Sequence, residues 1–220
     1  MKNISKEDYL SVIFKHKDGK GEIKANVIAD KLKISNAAVT DMLKKLSREK
    51  YIAYEPYKSV KLTPRGETYA RNMVRRHRIW ELFLHQVVGL PWDKVHDEAE
   101  RLEHSSSDEL INRLEEMLNF PEFDPHGDPI PDKNGILPFQ KKSIPLSNMQ
   151  ERQKGIVIRV NDYDKEFLIY ISEIGIELNK PLLVKEKRAF DNSMSVNIGK
   201  KNFNISSTIA ENVFVELIDE

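Results

Sequence analysis

Residues 75–104, RRHRIWELFLHQVVGLPWDKVHDEAERLEH, decide how the rest of the chain is read. On a helix His77 and Glu81 are four apart, and His96, Glu100, Glu103 and His104 follow at i, i+4, i+7 and i+8, so each set projects from one face. Two helices joined at Gly89-Leu90-Pro91 can therefore present six nitrogen and oxygen ligands to a shared space. His85 shares the His77 face by spacing but lies outside this ligand pattern. Imidazole and carboxylate without thiolate suit a hard-to-borderline divalent ion such as manganese or ferrous iron.

Outward from this stretch, composition sets limits. The 220 residues are enough to bury a real core. There is no cysteine, which excludes disulfides, iron–sulfur ligation and cysteine nucleophiles. No apolar run reaches the roughly 18 residues needed to span a bilayer, and MKNISKEDYL lacks the apolar core of a signal peptide, so a cytoplasmic protein without a membrane partner is expected. The formal net charge of +0 conceals an asymmetry: Lys and Arg outnumber Asp and Glu by 19 to 9 up to Arg78, and are outnumbered by 16 to 26 after it. A basic first third implies contact with a polyanion.

The N-terminal third supplies the corresponding pattern. SKEDYLSVIFKH (5–16) places Tyr9, Leu10, Ile13 and Phe14 at helical spacing behind Ser5, and IKANVIADKLK (23–33) predicts a second helix with Ile23, Val27, Ile28 and Leu32 inward. Ser35-Asn36 offers an N-cap for a third, whose Val39, Met42, Leu43 and Leu46 form an apolar stripe. A β-rich pair, Tyr51–Tyr54 and Ser59–Leu62 around a turn at Pro56, makes a wing, and Thr63-Pro64 opens the next helix. In a helix-turn-helix with a wing, Ser35, Asn36, Ala37, Ala38, Thr40 and Asp41 enter the major groove of double-stranded DNA. Lys44, Lys58, Lys61 and Arg65 neutralise phosphates.

After the ligand-rich stretch, SSDELINRLEEMLN begins with a Ser cap and carries Leu110, Leu114, Met117 and Leu118; three such helices make a natural subunit interface. Residues 120–145 are proline-rich and lack periodicity, which predicts a loop and linker with His126 as a turn residue. From Gly155 onward five short strands and one helical segment (Glu166–Ile174) predict a small barrel of SH3 type. The expected fold is thus mainly α over the N-terminal two-thirds, with a small β-barrel at the C-terminus. Its parts are a winged helix-turn-helix (1–66), a helical metal-binding and dimerisation domain (67–140), a linker (141–153) and an SH3-like domain (154–220).

In order and spacing, EDYLSVIF, ISNAAVTDMLKKL with YIAYEPYKSVKLTPRG, RRHRIWELFL, KVHDEAERLEHSSSDEL and DPHGDPIP resemble the diphtheria-toxin-repressor family of metal-dependent transcriptional repressors, over essentially the whole chain. The resemblance implies a homodimer on a palindromic operator, controlling metal homeostasis, with two metal ions per subunit. One site would use His77, Glu81 and His96, completed by an acid of the terminal domain, Asp164 or Glu166. The other, regulatory site would use Asp8 with Glu100, Glu103 and His104. Iron-type members place methionine and cysteine where this chain has Asp8 and Glu100, so manganese is implied ahead of iron, although Ser11 stands where the manganese branch can supply a further glutamate. An enzyme is not expected: HExxH is absent and no nucleophile-base set or small-molecule substrate site is visible. A winged-helix regulator with a purely structural metal is the alternative.

Overall fold

The computed structural model describes residues 6–55, 58–162 and 164–218. The chain divides into two compact units, Met1–Arg76 with Pro131–Ile136, and His77–Ile130 with Leu137–Glu220.

In the first unit, α1 (Lys6–His16), β1 (Glu22–Ile23), α2 (Ala25–Leu32), α3 (Asn36–Arg48), β2 (Ile52–Ala53) and β3 (Val60–Leu62) lead into α4 (Pro64–Gln86). Lys33 in the left-handed region (φ 55) ends α2. Two residues later the Ser35 hydroxyl accepts from Ala38 N at 3.2 Å and starts α3, giving the short turn a helix-turn-helix needs. Pro64 opens α4, where its missing N–H costs nothing, and the Thr63 hydroxyl accepts from Gly66 N at 3.1 Å. Gly66 is required at that spot because a Cβ would lie 1.9 Å from the Tyr51 carbonyl oxygen. The strand order is β1-β3-β2. Ile23 does not join the second helix as expected. It pairs with Val60 as an outer strand of the wing sheet, because the turn at Asp18, whose Oδ1 accepts from Lys20 N and Glu22 N, delivers it extended. Leu10, Ile13, Ile28, Val39, Leu43, Leu46 and Val60 are fully buried and form the core. The expected Ser5 cap and Pro56 turn lie outside the described residues.

The second unit contains the rest of α4, then α5 (Trp92–Glu103) and α6 (Asp108–Met117), the latter capped by Ser107, whose hydroxyl accepts from Leu110 N. Ile79, Leu82, Ile111, Leu114 and Ile130 pack together, as do Leu84, Val95 and Ala99. The C-terminal part holds β4 (Ile144–Pro145), a short 3-10 turn, β5 (Lys154–Val160), α7 (Lys165–Glu173), β6 (Pro181–Lys187), β7 (Met194–Ile198), β8 (Lys201–Ile205), α8 (Ser207–Glu211) and β9 (Val213–Ile218). All five strand runs read from the sequence are present, and β4 joins them in a six-stranded sheet of order β4-β9-β5-β6-β7-β8. The expected barrel is not closed: β4 and β8 are outer strands and do not pair. β4 is only two residues long and one of them, Pro145, has no N–H to give a ladder. Bulges at Val157/Arg159 and Val184/Glu186 bend the sheet around its core of Leu146, Met149, Leu168, Ile171 and Ile176.

Candidate metal centre

The His77–Glu81 spacing on α4 and the position of His96 on α5 bring three donor atoms into a triangle. His77 Nε2 and His96 Nδ1 each lie 3.0 Å from Glu81 Oε1 and 3.1 Å from each other. Donors at right angles around an octahedral ion with bonds of roughly 2.1 Å, as in magnesium sites, stand about 3.0 Å apart. His77 is held from behind, where Glu103 Oε2 lies 2.6 Å from its Nδ1. A carboxylate on one imidazole nitrogen fixes the ring and turns the other toward an ion.

A second group shares Glu81. The ligand atoms of Glu81, His126 and Asp162 lie within 4.8 Å of one another. His126 stands on the segment after α6, and three contacts fix it there. Its backbone carbonyl accepts from Val160 N at 2.9 Å, its ring stacks on Trp92 with centroids 6.0 Å apart, and its Nε2 donates to the Trp92 carbonyl at 3.0 Å. Gly127 (φ +88) makes the close approach to β5 possible, since a Cβ would lie 2.1 Å from the Ile158 carbonyl oxygen. Asp162, just past β5, reaches His96 Nδ1 at 3.6 Å.

Two buried atoms here have no hydrogen-bond partner, Glu81 Oε2 and His126 Nδ1. Leaving a polar atom buried and unpaired costs about 1–3 kcal/mol, and more for a charged group. With Nε2 carrying the hydrogen, Nδ1 is the lone pair of neutral His126. An anionic oxygen and an imidazole lone pair, both buried and both in one donor group, fit a divalent cation.

The electrostatics agree. Burial alone would raise the Glu81 carboxyl, but the charge of His77, hydrogen bonds from His77 and His96 and the charge of His126 outweigh it and hold the group well below the usual carboxylate range. For His126 burial acts downward, and the carboxylates of Glu81, Asp124 and Asp162 overcome it and raise the imidazole. Asp124 is pushed up to about 7 by burial, then by Asp128 and Glu81, against Arg78 and His126. Arg78 binds this segment through Asp124 at 3.4 Å, Asp128 at 3.5 Å and the Pro129 carbonyl.

The other residues singled out from the sequence fall as follows. Asp164 and Glu166 do not join the cluster: both are exposed, and Asp164 Oδ1 accepts from Glu166 N and Phe167 N as the cap of α7. The carboxylate beside His96 is instead Asp162, two residues earlier. His126, read from the sequence as a turn residue, is fully buried in the cluster. The aspartates flanking it were the available signal, since a histidine set among acids in an aperiodic segment has no structural reason to be apolar-packed. His104 Nε2 lies 3.4 Å from Glu103 Oε1, and Glu100 is half-buried on α5. Asp8 is half-buried on α1 in the first unit. His85 Nδ1 donates to the Leu90 carbonyl and ends α4.

Of the residues expected from the sequence to read DNA, Ser35, Asn36, Ala37, Ala38, Asp41 and Lys44 are exposed along α3 and its cap, while Thr40 is half-buried with its hydroxyl donating to the Asn36 carbonyl at 2.9 Å. Lys58 and Lys61 are exposed in the wing, Lys58 pairing with Glu55 at 2.5 Å. The Arg65 guanidinium lies over the Tyr51 ring at 4.5 Å and donates to the Glu49 carbonyl and the Tyr51 hydroxyl, so much of its hydrogen bonding is spent bracing the wing.

A winged helix-turn-helix unit and a buried imidazole–carboxylate donor group define a metal-dependent DNA-binding protein. Residues 3–60 match the iron dependent repressor N-terminal DNA binding domain, 63–132 the metal binding and dimerisation domain of the same repressors, and 144–217 the FeoA domain. The chain is 34% identical over 120 residues to the HTH-type transcriptional regulator MntR of Bacillus pumilus, covering 54% of this chain and 83% of that protein. It is 31% identical over 183 residues to the diphtheria toxin repressor of Corynebacterium glutamicum, covering 78% and 79%. Among solved structures, a manganese-dependent transcriptional repressor in complex with manganese superposes with a TM-score of 0.89 at 34% identity, over 96% of this chain and 99% of that one. The chain belongs to the diphtheria-toxin-repressor family, a family of metal-dependent transcriptional repressors and not of enzymes. Among the described residues no helix is long and apolar enough to cross a membrane.

Proposed function

We propose that this chain is a cytoplasmic, manganese-responsive repressor of metal-homeostasis genes that acts as a homodimer on a palindromic operator. The observation that carries the metal half of this reading is the pair of buried, unpartnered atoms, Glu81 Oε2 and His126 Nδ1, in one donor group. Manganese is favoured over ferrous iron because every donor is oxygen or imidazole nitrogen, with no thioether or thiolate.

His77, Glu81, His96, His126 and Asp162 would hold one ion, with Glu103 orienting His77 and the Trp92 carbonyl orienting His126. A second ion per subunit is assigned to Asp8, Glu100, Glu103 and His104 on donor chemistry and family resemblance. A bound divalent ion supplies concentrated positive charge. In its absence Glu81, Glu103 and Asp162 set like charges around the two histidines, which opposes a tight arrangement. Ser35, Asn36, Ala37, Ala38, Thr40 and Asp41 are assigned to the major groove, and Lys44, Lys58 and Lys61 to phosphates. In a two-fold dimer the two recognition helices must meet half-sites about 34 Å apart, so an effector that selects the dimer geometry selects DNA binding.

The test is selection of fragmented genomic DNA by the purified protein with manganese, with ferrous iron under anaerobic conditions, and with chelator. Enrichment of a palindromic site with manganese alone is expected. Equal enrichment with chelator would reduce the metal to a structural role, and stronger enrichment with iron would reassign the branch.

A further inference from the structure

Immediately after the segment that carries Asp124, His126 and Asp128, the chain changes allegiance. Ile130 is buried in the second unit, residues Pro131–Ile136 belong to the first, and Leu137 returns to the second. This six-residue excursion is tightly built. Asp132 Oδ1 accepts from Asn134 N at 2.9 Å and Ile136 N at 2.7 Å, while Asp132 N donates to the Ile136 carbonyl at 2.9 Å and Gly135 N to the Asp132 carbonyl at 2.8 Å. Gly135 adopts φ +78, and a Cβ there would press on Arg71 Cδ at 3.2 Å.

The Arg71 side chain fastens the turn. Arg71 Nη1 donates to the Gly135 carbonyl at 2.5 Å, its Nε lies 3.2 Å from Glu67 Oε2, and its guanidinium sits 5.5 Å from the centre of the Phe14 ring. Lys17, just past α1, completes the set by pairing with Glu67 and covering the same ring at 4.5 Å. The 131–136 turn is therefore anchored to α1 and α4 of the DNA-binding unit through the Arg71 guanidinium, and the charge of Arg75, also on α4, acts on Asp132. Within the second unit, Arg78 grips the preceding segment through Asp124, Asp128 and Pro129. The same stretch of chain is held at one end beside the candidate metal centre and at the other on the DNA-binding unit.

We propose that Arg71 and the 131–136 turn form a coupling strap, and that Arg71 is a positioning residue through which occupancy of the metal centre is communicated to the DNA-binding unit. The inference rests on the repressor reading above. A loosened strap leaves both the donor cluster and the recognition helix intact but weakens the linkage between them.

The experiment measures operator affinity of the full-length protein by fluorescence anisotropy, with saturating manganese chloride and with chelator, for wild type, Arg71→Ala and Asp132→Ala. Asp132→Ala opens the turn while leaving Arg71 in place, so it decides the matter if Arg71→Ala fails to fold. The expected result is a fall of about fivefold or more in the ratio of the two affinities, within the usual range of allosteric coupling. Manganese affinity measured calorimetrically without DNA should remain within about twofold of wild type, and with saturating operator it should fall by the same factor as the ratio, because coupling is reciprocal. An unchanged ratio in the folded variants, or equal losses in both arms, overturns the strap and leaves the repressor reading standing. A wild-type ratio of one overturns the repressor reading, and the strap with it.

Discussion

The helix α3, proposed to read DNA, and the donor cluster on α4 and α5 are specified by the same helical arithmetic, yet their polar groups live under opposite conditions. Along α3 the groups assigned to DNA are largely exposed and locally content: Thr40 bonds back to Asn36, and Asp41 lies 3.7 Å from Lys44. Nothing there demands a ligand, so binding rests on net charge and shape. In the cluster, Glu81 and His126 are fully buried, and each retains an atom without a partner. Burial makes the need for a ligand visible, because an unpaired buried group is costly where an exposed one is solvated by water.

That contrast is most exposed to test at Glu81, the one residue common to both donor groups. Glu81→Gln removes the anionic oxygen while keeping the volume, and manganese affinity should drop at least about 100-fold, above the 10- to 100-fold seen when only a supporting partner of a ligand is removed. Isothermal titration of the variant settles this. Retention of wild-type affinity would mean that the buried acid is structural and that the contrast with α3 is one of packing alone.

Acid should act in the same direction with a smaller effect. Carboxylate neighbours raise His126 against the pull of burial, and burial first, then Asp128 and Glu81, raises Asp124 to about 7. Both shifts favour the protonated form of these groups in the metal-free protein, and each group's charge opposes the loss of the other's. Donation from His126 requires the neutral ring, so metal affinity falls as pH falls, about tenfold per pH unit for each proton displaced. Titrations in two buffers of different ionisation enthalpy count the protons released, and none released between pH 6 and 7.5 would contradict the assignment of His126 as a donor.

A third comparison lies within the C-terminal domain, between two acids two residues apart. Asp162→Asn should weaken manganese binding about tenfold with little loss of fold, whereas Asp164→Asn should leave binding unchanged, since asparagine caps a helix about as well as aspartate. Reversal of that order would return the ligand to Asp164.

The same pair shows what a sequence exposes and what it hides. His77, Glu81 and His96 are legible because regular helices turn spacing into direction, and Ser35 and Ser107 announce their helices through a cap chemistry that works locally. The strand runs after Gly155 are legible for the same reason, their side chains alternating between faces. His126 and Asp162 lie in aperiodic segments, where direction is set by a backbone bond to Val160, a stack on Trp92 and a glycine at φ +88, none of which has a period. Ile23 was drawn into a helical pattern because its apolar spacing continues that of α2, and only pairing with a strand some forty residues away decides otherwise. Closure of the terminal sheet likewise depends on how far the outer strands extend, and Pro145 in β4 cuts one of them short.

The smallest expected effect belongs to the exposed side of the comparison. Ser35→Ala removes the acceptor for Ala38 N at the start of α3, and such a loss costs about 1 kcal/mol. In a chain of this size that lowers the melting temperature by about 2–4 °C. If Ser35 is only a cap, operator affinity with manganese should change by no more than the fraying of the first turn allows, and a longer-range electrostatic readout, the slope of affinity against salt, should not move. If the hydroxyl also contacts phosphate, affinity falls further while the slope still holds, because a neutral hydroxyl releases no counterion. Replacing Lys61 by Ala in parallel calibrates that slope, which should then decrease by about one. A Ser35→Ala protein that kept its metal affinity while losing operator binding would show that the two functional regions, built by the same helical rules, fail independently.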